Sequence, residues 1–407
     1  MKKLTSFRLL LSSQFLSALA DNAILFIALA ILKNLNYSEQ YNSLLQEVFV
    51  IPYILLAAII GFYADNIPKN RILIYGNILK LIGGLSLLFG FNPFISYFII
   101  GVGATIYSPA KYGILTEIVD REYLVKANGH LEAATIVAIL AGVISGGYLA
   151  DYSIQIGLFS VIGLYGIATL LSFFIPKLNP LKQKLEEIKK SGSFLNLFIK
   201  ENISLFKNFF KLLNNAFSND NIRISLLGTS MFWGIGSTLR FLLIAWVPYA
   251  LHINDLKTPA NLNGAVAIGI VIGAFFAGKF ITIEKSYKVL PAGILLGIMI
   301  SILLFTNNIY LAAIVLLLVG VLGGFFVVPL NALLQEEGHH TFGSGTVIAI
   351  QNFMENILIL TMLGIYSGLL SLNISIINIG IIFSFILILW FGFLTFTTIQ
   401  PKTIEKN

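Results

Sequence analysis

The sequence predicts an all-α polytopic membrane protein with twelve transmembrane helices in two pseudo-symmetric six-helix bundles. Three observations carry this. Of the 407 residues, 57% are hydrophobic and only 11% are charged, a balance that soluble globular chains do not show. Apolar runs of about 20 residues, enough to cross a bilayer as helices, recur between short polar breaks. The two halves of the chain also repeat one another on either side of a single long polar break.

The spans fall near 9–33, 43–64, 72–90, 93–116, 127–150 and 154–176, then near 223–251, 261–282, 287–306, 309–335, 345–370 and 375–398. They define an N-terminal bundle over 1–176, a linker over 177–222 and a C-terminal bundle over 223–407. The linker contains LKQKLEEIKK, read as an amphipathic surface helix. Lys2, Lys3 and Arg8 precede the first run and no small-residue cleavage site follows it, so the run reads as a retained helix. About 21 of the 26 Lys and Arg residues lie in breaks on the side of the N-terminus. Lys33 and Lys257 lie on the other side, and Lys80, Lys111 and Arg240 lie inside spans. The positive-inside rule then places both termini and the linker in the cytoplasm. The net charge of +7 is accounted for by loops facing an anionic leaflet and does not call for nucleic acid.

The repeat is readable residue by residue. In the fourth span Gly103, Pro109, Lys111 and Glu117 fall at offsets 0, 6, 8 and 14, as do Gly323, Pro329, Asn331 and Glu337 in the tenth. The second span is followed by GFYADNIPKNR and the eighth by GKFITIEKSYK, each with a helix-ending Gly, an acid and then bases. Pro109 and Pro329 remove backbone hydrogen bonds inside their spans and are candidate kinks for gating. Asp65 and Arg71 are a candidate latch on the cytoplasmic side.

Six ionisable residues lie inside spans: Asp21, Lys80, Lys111, Glu132, Arg240 and Glu355. An ionised carboxylate at mid-membrane costs roughly 2.5–3.5 kcal/mol on insertion scales, so these groups must pair, bind a substrate or line water. Asp21 and Asn22 stand at the centre of the first run, where Gln14, Ser17 and Asp21 share one helix face. Tyr107 and Lys111 are one turn apart; Asn128, Glu132 and Thr135 share a face; so do Trp233, Ser237 and Arg240. Gln351 and Glu355 share a face of the eleventh span, with Asn352 and Asn356 beside it. Lys80 and Lys111 are candidates both for substrate contact and for pairing with an acid. Glu132 lies near enough to a span end for solvation to be the alternative. His252, His339 and His340 fall in predicted loops, and His130 near a span end.

The mixed sign of this set bears on the substrate. A sugar site needs neutral hydrogen-bonding groups, and a site for cations alone needs only acids. Lys111 and Arg240 could hold a phosphate, Arg bidentately, while Asp21 or Glu355 could hold an ammonium group. Such a site takes a zwitterionic or anionic phosphate-bearing molecule, although other zwitterions fit it too. A proton-coupled exporter of amphipathic drugs is the alternative on the same architecture; it needs a mid-membrane acid but not Lys111 and Arg240 together. Enzyme chemistry finds no support. The chain has no cysteine, no histidine is followed five residues later by an acid, and no GxSxG elbow occurs. Nothing in the sequence calls for a cofactor or a metal.

Taken together, QFLSALADNAILF, SPAKYGIL, VKANGHLEA, TLRFLL, GGFFVVPLNALLQE and AIQNFMEN closely resemble the bacterial lysophospholipid transporters of the major facilitator superfamily. The resemblance runs from about Gln14 to the last span. It departs from the superfamily pattern after the second span, where Asn66 and Pro68 stand in place of the common Arg and Gly. It implies two six-helix bundles around a central cavity. It also implies movement of lysophosphatidylethanolamine, lysophosphatidylglycerol and lyso-cardiolipin from the outer to the inner leaflet of the bacterial inner membrane. An acyltransferase/acyl-carrier-protein synthetase would then re-acylate them. The positions matching the family's polar core are Asp21, Asn22, Lys111, Arg240, Asn352 and Glu355. A monomer among membrane lipids is the expected form.

Overall fold

The computed structural model describes residues 2–37, 40–177, 194–254 and 257–399. LKQKLEEIKK, at 181–190, lies outside the described residues. Where the chain is described it is helical, with no strand. This is what a bilayer demands, because only a helix or a closed barrel satisfies every backbone group internally. The helices of the first half are α1 (Lys2–Asn34), α2 (Gln40–Leu55), α3 (Ala57–Asn66), α4 (Lys69–Leu88), α5 (Pro93–Gly113), α6 (Leu115–Ile118), α7 (Leu124–Tyr152) and α8 (Ile154–Phe174). A linker helix follows, α9 (Phe194–Ser218). The second half comprises α10 (Asp220–Trp246), α11 (Lys257–Phe280), α12 (Leu290–Leu304), α13 (Ile309–His340), α14 (Ser344–Ser371) and α15 (Ile376–Ile399). Eleven helices are long and apolar enough to cross a membrane, and the pair α2–α3 makes a twelfth crossing.

That pair departs from the straight span the sequence suggests. The chain bends by 60° between α2 and α3. Pro52, one turn before the bend, lacks an N–H and crowds the preceding turn. The bend lays α3 against α14 so closely that a Cβ at Gly61 would stand 2.9 Å from that of Ala349. His339 and His340 are also not in a loop: α13 continues through them.

Twelve crossings return the chain to its starting side, so α1 begins and α15 ends at one face, called here the terminal face; the other is the distal face. The apolar core is divided accordingly. One cluster fills the second half and continues into the terminal part of the first half through Leu10, Ile114, Leu124 and Leu131. A separate cluster, with Ile24, Ile27, Leu87, Ile100 and Val161, occupies the distal part of the first half. The halves are therefore fused by packing near the terminal face and keep separate cores toward the distal face. The linker helix α9 lies across the terminal side. Its Phe209 packs in a cluster with Ala57 and Ala58 of one half and Val347 and Ile348 of the other, and meets the Phe353 ring edge-on at 5.1 Å.

Within the second half, α11 and α13 meet through two Gly-xxx-Gly pairs, Gly269/Gly273 and Gly320/Gly324. A Cβ at Gly273 would stand 2.0 Å from the Val321 carbonyl oxygen, and one at Gly320 would stand 2.1 Å from that of Val266. Small residues allow this backbone contact where lipid supplies no hydrophobic drive between helices. Gly273→Ala should therefore destabilise the purified protein by about 1–3 kcal/mol, the usual range for overpacking. Gly364→Ala, which faces open space, should not. Thermal unfolding in detergent checks both.

Candidate functional site

Asp21 is not a free carboxylate. Its Oδ2 accepts from Lys80 Nζ at 2.6 Å and its Oδ1 from the Tyr165 hydroxyl at 2.8 Å. Lys80 also donates to Ser17 Oγ at 2.9 Å, and Ser17 donates to Asn77 Oδ1 at 2.8 Å. The Lys80 ammonium lies 4.9 Å from the centroid of the Tyr107 ring. The Gln14–Ser17–Asp21 face of α1 thus meets α7, where Gln14 donates to Thr135 Oγ1 at 3.1 Å, and α4 and α8, all inside the first half. Asn22 turns its amide back to the Ala18 carbonyl at 2.8 Å, where α7 passes with Gly142 against the backbone of α1.

A second group bridges the halves. Glu132, on α7, is buried and does not reach solvent. Its Oε1 accepts from the Tyr112 hydroxyl at 2.7 Å and from Asn331 Nδ2 of α13 at 3.4 Å. Asn331 Oδ1 in turn accepts from Gln351 Nε2 at 2.7 Å, and Gln351 also donates to Glu355 Oε1 at 2.8 Å. The chain Tyr112–Glu132–Asn331–Gln351–Glu355 therefore runs from one half into the other. Lys111 makes no ion pair among the described residues. Its ammonium lies 4.2 Å from the Tyr112 ring centroid. Together these residues form a buried polar cluster of mixed sign, in which Lys111 is the cation left without a carboxylate.

Other residues singled out from the sequence lie elsewhere. Arg240 is exposed and lines a 310 Å³ cavity among the helices of the second half, with Phe232, Trp233 and Asn263. Asn352 exchanges hydrogen bonds with Ser108 across the halves, at 3.0 and 3.4 Å. Pro109 and Pro329 are buried inside α5 and α13, which run through them. Sequence reasoning missed Tyr165 and Tyr112. A Tyr in an apolar span carries no periodic signal, and only the helix packing turns its hydroxyl toward a carboxylate.

Near the terminal face the contact between halves is layered. One turn below Glu132 and Asn331, Asn128 and Gln335 exchange reciprocal amide bonds at 2.9 and 2.7 Å. Farther out, Arg121 bridges Glu336 at 2.8 Å and Glu284 at 3.3 Å. Asp65 caps the N-terminus of α14: its Oδ1 accepts from Gly345 N–H at 2.7 Å, and its Oδ2 accepts from Thr346 N–H at 2.8 Å and the Thr346 hydroxyl at 2.6 Å. Gly343, at φ 103°, is required there, because a Cβ would stand 2.1 Å from Asp65 Oδ2. A carboxylate suits a helix N-terminus, whose N–H groups are unsatisfied and whose dipole is positive. Arg71 is not the partner of Asp65: it is exposed and unpaired among the described residues, whereas Lys69 is buried and paired with Glu117. Loss of such a cap costs about 0.5–2 kcal/mol. Asp65→Ala should therefore lower the ratio of joined to parted molecules at the terminal face by roughly two- to thirtyfold. The chain has no cysteine of its own, and Thr116 Oγ1 lies 3.3 Å from His339 Nδ1. Oxidative cross-linking of a Thr116→Cys/His339→Cys pair checks the prediction, and should slow when Asp65→Ala is added.

Comparison with known proteins agrees with this architecture. The family model of the Major Facilitator Superfamily matches residues 10–363. The lysophospholipid transporter LplT of Photorhabdus laumondii is 45% identical over 380 residues, which cover 93% of this chain and 92% of that protein. The lysophospholipid transporter LplT of Escherichia coli O1:K1 / APEC is 48% identical over 369 residues, covering 91% and 90%. Among solved structures, the E. coli fucose:proton symporter FucP superposes with a TM-score of 0.71 at 15% identity, over 97% of this chain and 99% of that one. A bacterial homologue of the iron transporter ferroportin in its outward-facing state gives 0.70 at 16% identity, over 96% and 99%. The solved structures establish the fold, and the full-length relatives establish the branch. The chain belongs to the Major Facilitator Superfamily of transporters and, within it, to the family of the lysophospholipid transporter LplT.

Proposed function

We propose that this transporter moves lysophospholipids, among them lysophosphatidylethanolamine, lysophosphatidylglycerol and lyso-cardiolipin, from the outer to the inner leaflet of the bacterial inner membrane. The observation that carries the reading is the buried polar cluster of mixed sign, in which Lys111 lies over the ring of Tyr112, whose hydroxyl donates to Glu132, and has no ion-pair partner among the described residues. A headgroup phosphate offsets the positive charge, and an ethanolamine ammonium finds a carboxylate at Asp21 or Glu355. The names of the full-length relatives support the same substrate class. On the cytoplasmic side an acyltransferase/acyl-carrier-protein synthetase re-acylates the product. The protein works as a monomer, with no cofactor.

The mechanism proposed is alternating access between the halves 1–176 and 223–407 about the cluster. The terminal face is assigned to the cytoplasm on the Lys and Arg asymmetry, so the layered contacts at that face describe an outward-facing state. Asp65 is then part of the cytoplasmic gate, and Pro109 and Pro329 are hinges in the helices that carry Lys111 and Asn331. Arg240 meets the headgroup phosphate as the second half moves, and the acyl chain lies along apolar surface or trails into lipid. Substrate phosphate at Lys111 and exchange of hydrogen-bond partners by Glu132 and Glu355 limit uncompensated charge through the cycle, which matters because such a charge is strongly destabilising when buried.

Uptake of labelled lysophosphatidylethanolamine into vesicles with and without the protein tests the reading. Protein-dependent uptake that survives collapse of the proton gradient supports a flippase driven by its substrate gradient and by re-acylation. Uptake lost on collapse keeps the substrate and adds an ion-coupled cycle. No protein-dependent uptake overturns the substrate and favours the drug-exporter alternative. A charge-assisted hydrogen bond is worth about 1.5–3 kcal/mol, so Asp21→Asn and Arg240→Ala should each cut uptake by about ten- to hundredfold or more. Unchanged amounts of each variant in the membrane would exclude an insertion defect.

A further inference from the structure

The two members of the Asp21–Lys80 pair differ in exposure. The Asp21 side chain is 17% exposed, while that of Lys80 is 2% exposed. The carboxylate is partly accessible and the ammonium is not. Lys80 is held there independently of Asp21, by the Ser17 hydroxyl and by the face of the Tyr107 ring; Ser17 is fixed in turn by Asn77. Asp21 uses one lone pair on each oxygen, for Lys80 and for Tyr165. A carboxylate offers about four lone-pair sites, so acceptor capacity remains on its exposed side. An arriving group can therefore bond Asp21 without displacing Lys80. It meets a carboxylate acceptor whose net charge, pair included, is zero.

We propose that Lys80 is a resident counter-cation that sets headgroup tolerance: it leaves Asp21 able to accept from an ammonium or a hydroxyl while cancelling the charge that would expel an anionic headgroup. The inference rests on the proposed function. It assigns to Lys80 the breadth of substrate choice, not substrate contact. With Lys80 in place, an ethanolamine headgroup is attracted through short-range hydrogen bonding alone, and a glycerol headgroup of net negative charge is not repelled. Without the Lys80 charge, Asp21 presents a full negative charge. The site then favours the amine and rejects the anion, because a like charge at close range is strongly unfavourable. With Asp21 neutralised and Lys80 left, the preference runs the other way.

The test is competitive binding of lysophosphatidylethanolamine and lysophosphatidylglycerol to purified full-length protein in phosphatidylcholine nanodiscs, read as the ratio of the two affinities, so that loss of transport does not hide the answer. Lys80→Met should raise the ratio toward the amine by about tenfold, and Asp21→Asn should lower it by a similar factor. The double variant Asp21→Asn/Lys80→Met, neutral like the native pair, should return near the native ratio, and Lys80→Arg should keep it. If Lys80→Met does not fold, Lys80→Gln, which retains a donor for Ser17, carries the same comparison. Single variants that weaken both lysolipids equally, with the ratio unchanged, would reduce the pair to a structural strut and overturn the inference alone. A native protein that binds neither lysolipid would remove the proposed function, and this inference with it.

Discussion

A charge inside a bilayer must be answered, and the polar architecture of this protein follows from that constraint. Ionisable side chains stand within spans, among them Asp21, Lys80, Lys111, Glu132, Arg240 and Glu355, and each unpaired one would cost several kcal/mol in a medium without water. For four of them the chain meets the cost with two arrangements of different character, while Lys111 lies over the Tyr112 ring and Arg240 is exposed. In the first half Asp21, Lys80 and Tyr165 close a local group within one bundle. Between the halves, Glu132 and Glu355 are joined through neutral amides, Asn331 and Gln351. The first is a fixed pair inside a rigid body. The second is a relay of hydrogen bonds whose members sit on helices of opposite halves, so a relative movement of the halves must break it.

The same logic separates the two faces. Toward the terminal face the halves share one apolar cluster and are stitched by amide pairs, an arginine bridge and a carboxylate seated on a helix N-terminus. Toward the distal face the first half keeps an apolar core of its own. Joining a seam with polar contacts has a consequence that an apolar seam lacks. Each group, once parted, is rehydrated if water enters, so the contact is specific in register yet reversible. Glycine serves the other requirement, permanent contact. The α11–α13 backbones touch at Gly269, Gly273, Gly320 and Gly324, well inside the second half, where nothing needs to part.

Some residues were legible in the sequence for a physical reason and others were not. The spans could be read because lipid imposes length and apolarity on every crossing, whatever its neighbours. The need for partners at Asp21, Lys80 and Lys111 could be read from cost alone. Their partners could not: Asp21, Glu117 and Glu132 each stand on a different helix from Lys80, and only packing puts Lys80 on Asp21. The break at Leu56 was hidden because Pro52 sits in a run that is apolar on both sides. α13 outlasts its apolar run because Gln335 and Glu336 find Asn128 and Arg121 across the seam, which makes the polar extension through His339 and His340 helical where composition alone suggests a loop.

The sequence by itself determined the number of crossings, the doubling of a six-helix unit and the identity of the groups that cannot stay unpaired, because hydropathy and charge cost act on each residue alone. Tertiary structure decided which charges meet, which residue of the Asp65–Arg71 stretch binds the other half, and at which face the halves close. Those outcomes depend on helices far apart in the chain arriving within about 3 Å of one another, the reach of a hydrogen bond, and nothing in the local pattern of residues carries that distance.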